Sequence, residues 1–278
     1  MRALQLKLPQ SLWAALQARE RATGEPIEHI ARSALTDYLG LSHHTLFQVS
    51  TSTALVNGIY LGAVTIGQLR EHGGFGLGTF EGLDGEMLAL DGTFYQIRAD
   101  GSVRVARDSD LTPFAVVADF HPQQSLEIAH CESLESLYQQ IDRLRASDNL
   151  FYAIRIDGQW DAVHTRTMCK ADEGVPLAVA AAHQPEFKLN AVRGMAAGFW
   201  SPQYVQTLEV PGYHLHFLNE KRSAGGHLLG CVGGPLRLQI EQLSDLRVAL
   251  PENQEFMQAD LSRDPSKDLA FAEHKRNR

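Results

Sequence analysis

Apolar and polar residues alternate at the start of the chain. Leucines occupy alternate positions within residues 2–8, which is typical of a half-buried strand, and Pro9 ends this pattern. Apolar residues at helical spacing then predict a helix over residues 10–22. A second apolar stripe follows Pro26, which starts another helix, and Gly40 closes it. One strand and two helices of this length cannot bury a core within a single copy.

Short apolar runs separated by glycine-containing turns follow in the next part of the chain. Strands are predicted over residues 102–106 and 114–120, and a hairpin with a tight Asp-Gly turn over residues 88–97. The glycines of residues 73–87 do not form a phosphate-binding loop, because Glu81 stands where the third glycine of that motif belongs. We interpret them as turns between short strands.

The second half of the chain contains one clear amphipathic helix among further strands. Residues 133–145 carry the apolar stripe of that helix. Residues 149–156 and 160–168 are predicted to form a hairpin around Asp157-Gly158, and residues 194–200 a glycine-rich turn. Many strands with few helices predict an α+β fold.

Two histidines lie in the strand-like residues 213–218. His214 and His216 are two positions apart, so both side chains point to the same face of a strand. The polar residues 219–222 and the glycines after them predict a turn, which returns His227 to the same place. Three neutral imidazoles that converge from a hairpin form the ligand set of a catalytic zinc ion, with one position open to water or substrate.

Composition limits the range of functions. The chain has 278 residues, of which 44% are hydrophobic and 21% charged, as in an ordinary globular protein of one large or two modest domains. Its net charge of −8 argues against a protein that mainly coats nucleic acid or an anionic membrane. No apolar run reaches the ~18 residues of a membrane span, and the N-terminus lacks the apolar core of a signal peptide. We therefore expect a cytoplasmic protein whose 3 cysteines are reduced thiols.

The first residues resemble a known DNA-binding family. Residues 2–40 resemble the ribbon-helix-helix family in their order of strand, helix, glycine and second helix. The resemblance implies strands that pair across a dimer and enter the DNA major groove, with Ala3, Gln5 and Lys7 facing the bases. However, residues 1–42 hold five basic and four acidic side chains, a balance of only +1, whereas duplex binding draws largely on phosphate neutralisation. The segment is therefore interpreted either as a DNA-binding dimer or as a dimerisation module that reads no sequence.

Several motifs of residues 45–278 resemble the acetolactate decarboxylase family. In chain order they are Leu46-Phe47-Gln48-Val49-Ser50-Thr51, Phe75-Gly76-Leu77-Gly78-Thr79-Phe80, Leu83-Asp84-Gly85-Glu86-Met87, Asp91-Gly92 with Phe94-Tyr95-Gln96, Tyr152-Ala153-Ile154-Arg155-Ile156-Asp157-Gly158, Thr165-Arg166-Thr167, Gly198-Phe199-Trp200-Ser201-Pro202 and residues 212–230. This family converts 2-acetolactate to acetoin and carbon dioxide, using zinc held by three histidines. By motif position these are His214, His216 and His227, which the spacing also selects.

The resemblance implies the remaining site residues as well. Glu86 stands at the carboxylate of the family's Gly-Glu-Met motif, Arg166 at the arginine of Thr-Arg-Thr, and Thr79 at the threonine of Leu-Gly-Thr-Phe. A second carboxylate near the family's C-terminus corresponds to Glu273. Catalytic roles then belong to Glu86, Arg166 and Glu273, and substrate binding to Thr79 and Arg166.

These residue types suit the decarboxylation of a 3-oxo acid. Loss of carbon dioxide leaves electrons on a developing enediolate, which a divalent cation stabilises as a Lewis acid, so no organic cofactor is needed. The planar fork of Arg166 can hold the departing carboxylate, and a nearby carboxylic acid can supply the proton that completes acetoin. Imidazole also suits iron, nickel and copper, so the histidines alone do not identify the metal.

The sequence therefore predicts two parts. Residues 1–42 form a ribbon-helix-helix-like dimerisation segment, and residues 43–278 form a metalloenzyme domain with a mixed or antiparallel sheet and few helices. We expect a homodimer that acts on 2-acetolactate, contacts DNA only through residues 1–42 if at all, and has no membrane attachment.

Two alternatives accompany this prediction. A cupin-type metalloenzyme is one, because His214, His216 and Glu220 echo half of the first cupin motif, although the leading glycine of that motif and its second segment are absent. The other is a transcriptional regulator whose large domain senses a metabolite while residues 1–42 bind an operator. Substitution of His227 distinguishes a regulator from an enzyme, because a sensor would keep its DNA affinity whereas an enzyme would lose turnover.

Overall fold

A computed structural model describes residues 5–39 and 44–273. Within these ranges the helices are α1 (Gln10–Thr23), α2 (Ile27–Tyr38), α3 (Ser52–Val56), α4 (Ile66–Arg70), α5 (Leu134–Asp142), α6 (Leu177–Ala180), α7 (Gln254–Gln258) and α8 (Ser266–Glu273). Short 3-10 helices lie at Glu81–Leu83, Ala181–His183 and Gln203–Val205. The strands are β1 (Thr45–Val49), β2 (Val64–Thr65), β3 (Phe75–Thr79), β4 (Glu86–Leu90), β5 (Thr93–Ile97), β6 (Val103–Val105), β7 (Leu111–Thr112), β8 (Ala115–Ala118), β9 (Gln124–Ile128), β10 (Phe151–Arg166), β11 (Glu186–Ser201), β12 (Gly212–Asn219), β13 (Gly225–Leu243) and β14 (Asp245–Ala249).

These strands form two large sheets and a small ribbon of β2 and β7. The first sheet has 7 strands in the order β14-β1-β8-β3-β4-β5-β6. The second has 5 strands in the order β10-β11-β12-β13-β9, and β10 also pairs with β13, so four of its strands close into a ring. Neighbouring strands in both sheets are antiparallel except β1 and β14, which are parallel. The predicted α+β class with a largely antiparallel sheet is confirmed.

The two large sheets share one hydrophobic core. Leu46, Leu77 and Val116 of the first sheet lie in the same buried cluster as Ala153 and Phe199 of the second. A leucine removed from water in this way stabilises the fold by about 1.5–3 kcal/mol. This packing brings β3 against β11 and β4 against β12. As a result, the start of β4 lies beside the strand that carries the paired histidines.

One prediction about the second sheet is wrong. The sequence predicts a hairpin within residues 149–168, but these residues contain the single long strand β10, whose register with β13 shifts near Gly158. A Cβ atom on Gly158 would lie 2.4 Å from the carbonyl oxygen of Pro235. The glycine therefore permits two strands to approach closely, and it does not mark a turn.

The turn predicted over residues 194–200 is also wrong, because these residues lie inside β11. Their glycines allow close contact between strands and between sheets. A Cβ atom on Gly198 would lie 2.1 Å from the His214 carbonyl oxygen and 2.8 Å from Cδ2 of Leu77. Gly198 thus lets β11 pack tightly against the histidine strand on one side and the first sheet on another.

The N-terminal segment forms both predicted helices. α1 ends at Gly24, which has a left-handed φ of 76° and donates its N–H to the Glu20 carbonyl. The strand predicted over residues 2–8 lies partly outside the described residues, as does Gly40. Residues 5–9 join no strand elsewhere in the described chain.

Apolar side chains of this segment are largely uncovered in a single copy. None of the residues of α1 is buried, and Leu6, Trp13 and Leu35 are 56%, 45% and 42% exposed. The segment touches the large domain through Nε2 of His29, which lies 3.5 Å from the carboxylate of Asp245 in β14. A single chain therefore leaves several large apolar side chains of this segment exposed to solvent.

Candidate active site

The hairpin of β12 and β13 brings the three predicted histidines together. His214 and His216 lie on β12, and His216 is paired in register with His227 on β13. One ring nitrogen from each histidine lies within 4.8 Å of the others, and the exposed fractions of the three are 7%, 1% and 6%. Three buried imidazole nitrogens at this mutual distance could together hold a metal ion.

A backbone carbonyl orients one of these rings. His216 donates from Nδ1 to the carbonyl oxygen of Met87 at 2.8 Å, which leaves Nε2 as the atom available to a metal. The neighbouring turn is also fixed, because Oδ1 of Asn219 accepts hydrogen bonds from the N–H groups of Ser223 and Ala224 at 2.8 and 3.2 Å. The hairpin is therefore a rigid support for the histidines.

Glu86 begins β4 and points its carboxylate at this cluster. Its Oε2 lies 3.6 Å from Nε2 of His216, and its Oε1 accepts a hydrogen bond from the Met168 N–H at 2.9 Å. Only 7% of Glu86 is exposed. One carboxylate oxygen is thus anchored to the backbone while the other faces the histidines.

Arg166 ends β10 and is paired in register with His227. Only 3% of the residue is exposed, and its guanidinium donates a hydrogen bond to the Ala272 carbonyl near the end of α8. A buried guanidinium beside the histidines places positive charge in this part of the structure, and such a group can pair with a carboxylate.

The two remaining predicted site residues are Thr79 and Glu273. Thr79 lines the same cavity as Glu86 and Arg166, and its hydroxyl donates to the Gly85 carbonyl at 2.8 Å. Glu273 is the last residue of α8, and its side chain lies outside the described part of the structure. Its neighbour in α8, Ala272, lines the cavity.

Apolar side chains that belong to or pack against one buried cluster complete the lining of this cavity and form an apolar wall. The wall consists of Leu55, Leu83, Leu177, Val210 and Leu269. Sequence reasoning missed it, together with the polar lining residues Ser52 and Gln184, because short separate elements contribute its members. No periodic pattern joins α3, α6 and α8 in the sequence.

Behind the wall, Tyr60 fixes the loop that leads into α6. Burial raises the pKa of the Tyr60 phenol well above its ordinary value, so the hydroxyl stays protonated and donates to the Val175 carbonyl at 2.7 Å. Burial also raises the pKa of the Glu173 carboxyl, whose oxygens accept the Tyr60 N–H at 3.0 Å. The apolar side of the cavity is therefore held in place by hydrogen bonds.

Fold and site together define an α+β protein with a buried three-histidine centre beside a carboxylate and a guanidinium. Residues 46–263 match the model of the alpha-acetolactate decarboxylase family. The alpha-acetolactate decarboxylase of Bacillus licheniformis is 41% identical over 219 residues, covering 78% of this chain and 87% of that protein. That of Raoultella terrigena is 41% identical over 227 residues, covering 80% and 88%. The crystal structure of the enzyme from Bacillus subtilis strain 168 superposes with a TM-score of 0.81 at 37% identity, covering 83% of this chain and 100% of that chain.

The chain belongs to the alpha-acetolactate decarboxylase family. Its activity is that of a carboxy-lyase, which converts 2-acetolactate to acetoin and carbon dioxide. This membership accounts for the histidine hairpin better than the cupin alternative does. No helix within residues 5–39 and 44–273 is long and apolar enough to cross a membrane.

Proposed function

We propose that the enzyme uses zinc held by His214, His216 and His227. The observation that carries this proposal is the convergence of three buried imidazole nitrogens within 4.8 Å of one another. When bound, the ion supplies a Lewis acid for the negative charge that remains after carbon dioxide departs. Nitrogen donors of this kind and number suit zinc.

Arg166 binds the substrate carboxylate in this proposal. Its guanidinium presents a planar pair of N–H donors, which matches the two oxygens of a carboxylate. When the bond between the carboxylate carbon and C2 breaks, its electron pair moves toward the neighbouring ketone oxygen. Burial of Arg166 in the cavity excludes water, so the charge that orients the carboxylate is not screened.

Glu86 supplies the proton that C2 of the decarboxylated intermediate must take up to give acetoin. Oε1 is anchored by the Met168 N–H, so Oε2 is the atom that can carry and transfer this proton. Glu273 serves as the second carboxylate of the site. Thr79 binds substrate through its hydroxyl oxygen. This hydroxyl donates its own hydrogen bond to the Gly85 carbonyl, so its oxygen can accept one from the substrate hydroxyl.

A direct assay tests this function. Purified protein, analysed for its metals, is incubated with racemic 2-acetolactate, and acetoin and carbon dioxide are measured. We expect about one divalent ion per chain and formation of acetoin that stops after chelation and resumes with zinc. Turnover by metal-free protein would contradict the assignment of the centre.

We place the enzyme in the cytoplasm. Its cysteines Cys131, Cys169 and Cys231 are free thiols in the described structure. Reduced thiols suit a compartment kept reducing by glutathione and thioredoxin.

The N-terminal segment of residues 1–42 is proposed to join two copies of the chain. Leu6 is exposed, and its neighbours Gln5 and Lys7 would point to the opposite face of a strand. Two such strands pairing across a two-fold axis would cover Leu6 of both copies and satisfy their free backbone groups. The exposed Trp13 of α1 would be covered by the same contact.

Deletion of residues 1–42 should convert a dimer to a monomer while the decarboxylase rate changes by less than about 2-fold, since the site lies outside this segment. Light scattering and the acetoin assay measure both. In the full chain, Leu6→Lys should also give a monomer, whereas Gln5→Lys on the opposite face should remain dimeric. A truncated protein with the full-length mass would rule out this dimer.

DNA contact through the same segment is a separate proposal. Gln5 and Lys7 are exposed and would occupy the outward face of a paired ribbon. With a local charge balance of only +1 in residues 1–42, few phosphates can be neutralised, so binding should be weak and fall steeply as salt rises. No retention on duplex DNA at low salt would leave only the dimerisation interpretation.

A further inference from the structure

The turn that leads into Glu86 has an unusual backbone. Gly82, Leu83 and Gly85 have positive φ angles of 69°, 55° and 85°. The left-handed region is unfavourable for a residue with a side chain, so Leu83 is strained. Such a conformation persists only when the surrounding structure holds it, and it is concentrated at functional sites.

A side chain from the neighbouring strand β5 holds this turn. Gln96 is 1% exposed, and its Nε2 donates to the Asp84 backbone carbonyl at 2.5 Å and to Oδ2 of the Asp84 carboxylate at 3.0 Å. Its own strand position is fixed, because Gln96 is paired in register with Met87 and the next residue, Ile97, with Glu86. The buried amide therefore ties β5 to the turn two residues before Glu86.

Glu86 needs this restraint because each of its two carboxylate oxygens contacts a different group. Oε1 must reach the Met168 N–H at 2.9 Å while Oε2 lies 3.6 Å from Nε2 of His216. A shift of the turn would rotate the start of β4 and displace the carboxyl group. Misplacement of a reacting group by ~1 Å can lower a rate by about 10²-fold.

We propose that Gln96 is a positioning residue for the decarboxylation, acting through Asp84 and the strained turn to aim the Glu86 carboxyl group. The inference rests on the proposed role of Glu86 as proton donor. Gln96 lies outside the cavity lining. Thr79 donates to the carbonyl of Gly85 in the same turn, but β3 fixes its backbone, so we expect the effect mainly on the chemical step and not on substrate binding.

The test is a double-mutant cycle between Gln96 and Glu86. Gln96→Met keeps the length and volume of the side chain and removes the amide donor. With Glu86 present, we expect this change to lower kcat by about 10-fold or more and KM to change by less than about 2-fold. The Glu86→Gln variant is itself expected to have a low kcat. In this background Gln96→Met should lower kcat further by less than about 2-fold, because the carboxyl group that Gln96 positions is already absent.

Gln48 provides a matched control. It is also buried, at 0% exposure, and its Nε2 likewise donates to backbone carbonyls, those of Ser50 at 2.9 Å and Leu208 at 2.5 Å. Gln48→Met removes an equivalent contact that is not attached to the Glu86 turn. Whatever its effect on kcat, that effect should be the same in both backgrounds.

A second variant covers the case in which Gln96→Met does not fold. Asp84→Ala removes the carboxylate half of the contact, together with a partly exposed ion pair to Arg98 at 3.6 Å, and should give a smaller loss of kcat that also disappears in the Glu86→Gln background. Unchanged kcat in Gln96→Met, or an equal loss in both backgrounds, would overturn the positioning role. If Glu86→Gln alone has the wild-type kcat, the proposed role of Glu86 fails and the inference fails with it.

Discussion

His214→Ala should abolish both metal binding and acetoin formation. The substitution removes one of three nitrogens that lie within 4.8 Å of one another, and no other histidine of the described chain stands in this cluster. Even the loss of a group behind a metal ligand typically weakens binding by about 10–100-fold, so the loss of a ligand itself should cost at least about 10²-fold. Metal per chain after dialysis and turnover with 2-acetolactate measure the two effects.

His164→Ala is the matched control. His164 lies on β10 of the same sheet, where its Nε2 contacts the Glu186 carboxylate at 2.8 Å, and it belongs neither to the three-histidine cluster nor to the lining of the cavity. Polar contacts on the protein surface contribute little to stability, so this variant should keep its metal and its rate. A His214→Ala protein that retains about one ion per chain and normal turnover would show that the hairpin is not the catalytic centre.

The histidine cluster could be predicted from the sequence because its geometry is local. Side chains two residues apart on a strand share a face, and a short polar turn returns the chain to the same place. The pairing of His216 with His227 in the structure agrees with this expectation. The positions of Glu86 and Arg166 follow from no such rule. β4 reaches the hairpin through the packing of two sheets, and β10 reaches it by pairing with β13, a strand that is distant in sequence. Resemblance to a family supplied them.

The glycines misled the prediction of β10 and β11 for a related reason. Glycine marks a turn when the chain reverses, but it also stands where two backbones approach too closely for a Cβ atom. Gly158 and Gly198 are of the second kind, because a Cβ atom on either would lie only 2.4 or 2.1 Å from a neighbouring carbonyl oxygen. Whether a glycine marks a turn or a close approach of backbones depends on the neighbouring strands, which are distant in sequence. The apolar wall of the cavity could not be predicted for the same reason, because its residues come from elements that are distant in sequence.

Arg166→Lys should lower kcat/KM by about 10²-fold or more while the metal content stays the same. Lysine keeps the positive charge but loses the planar pair of donors. It therefore cannot both bond the Ala272 carbonyl, as Arg166 does, and hold a carboxylate through two parallel hydrogen bonds, as we propose for Arg166. The expected loss therefore reflects orientation of the substrate carboxylate along with the docking of α8. Steady-state kinetics with 2-acetolactate and metal analysis of the same samples provide the measurement.

Arg155→Lys on the same strand gives the comparison. Arg155 forms ion pairs with Asp91 at 2.8 Å and Asp157 at 2.9 Å, and lies outside the cavity lining. Its replacement should change kcat/KM by less than about 2-fold, because lysine preserves a partly exposed ion pair whose contribution is small. Equal rates for Arg166→Lys and Arg155→Lys would mean that the buried guanidinium supports the fold only, and the substrate carboxylate would then have to bind elsewhere in the cavity.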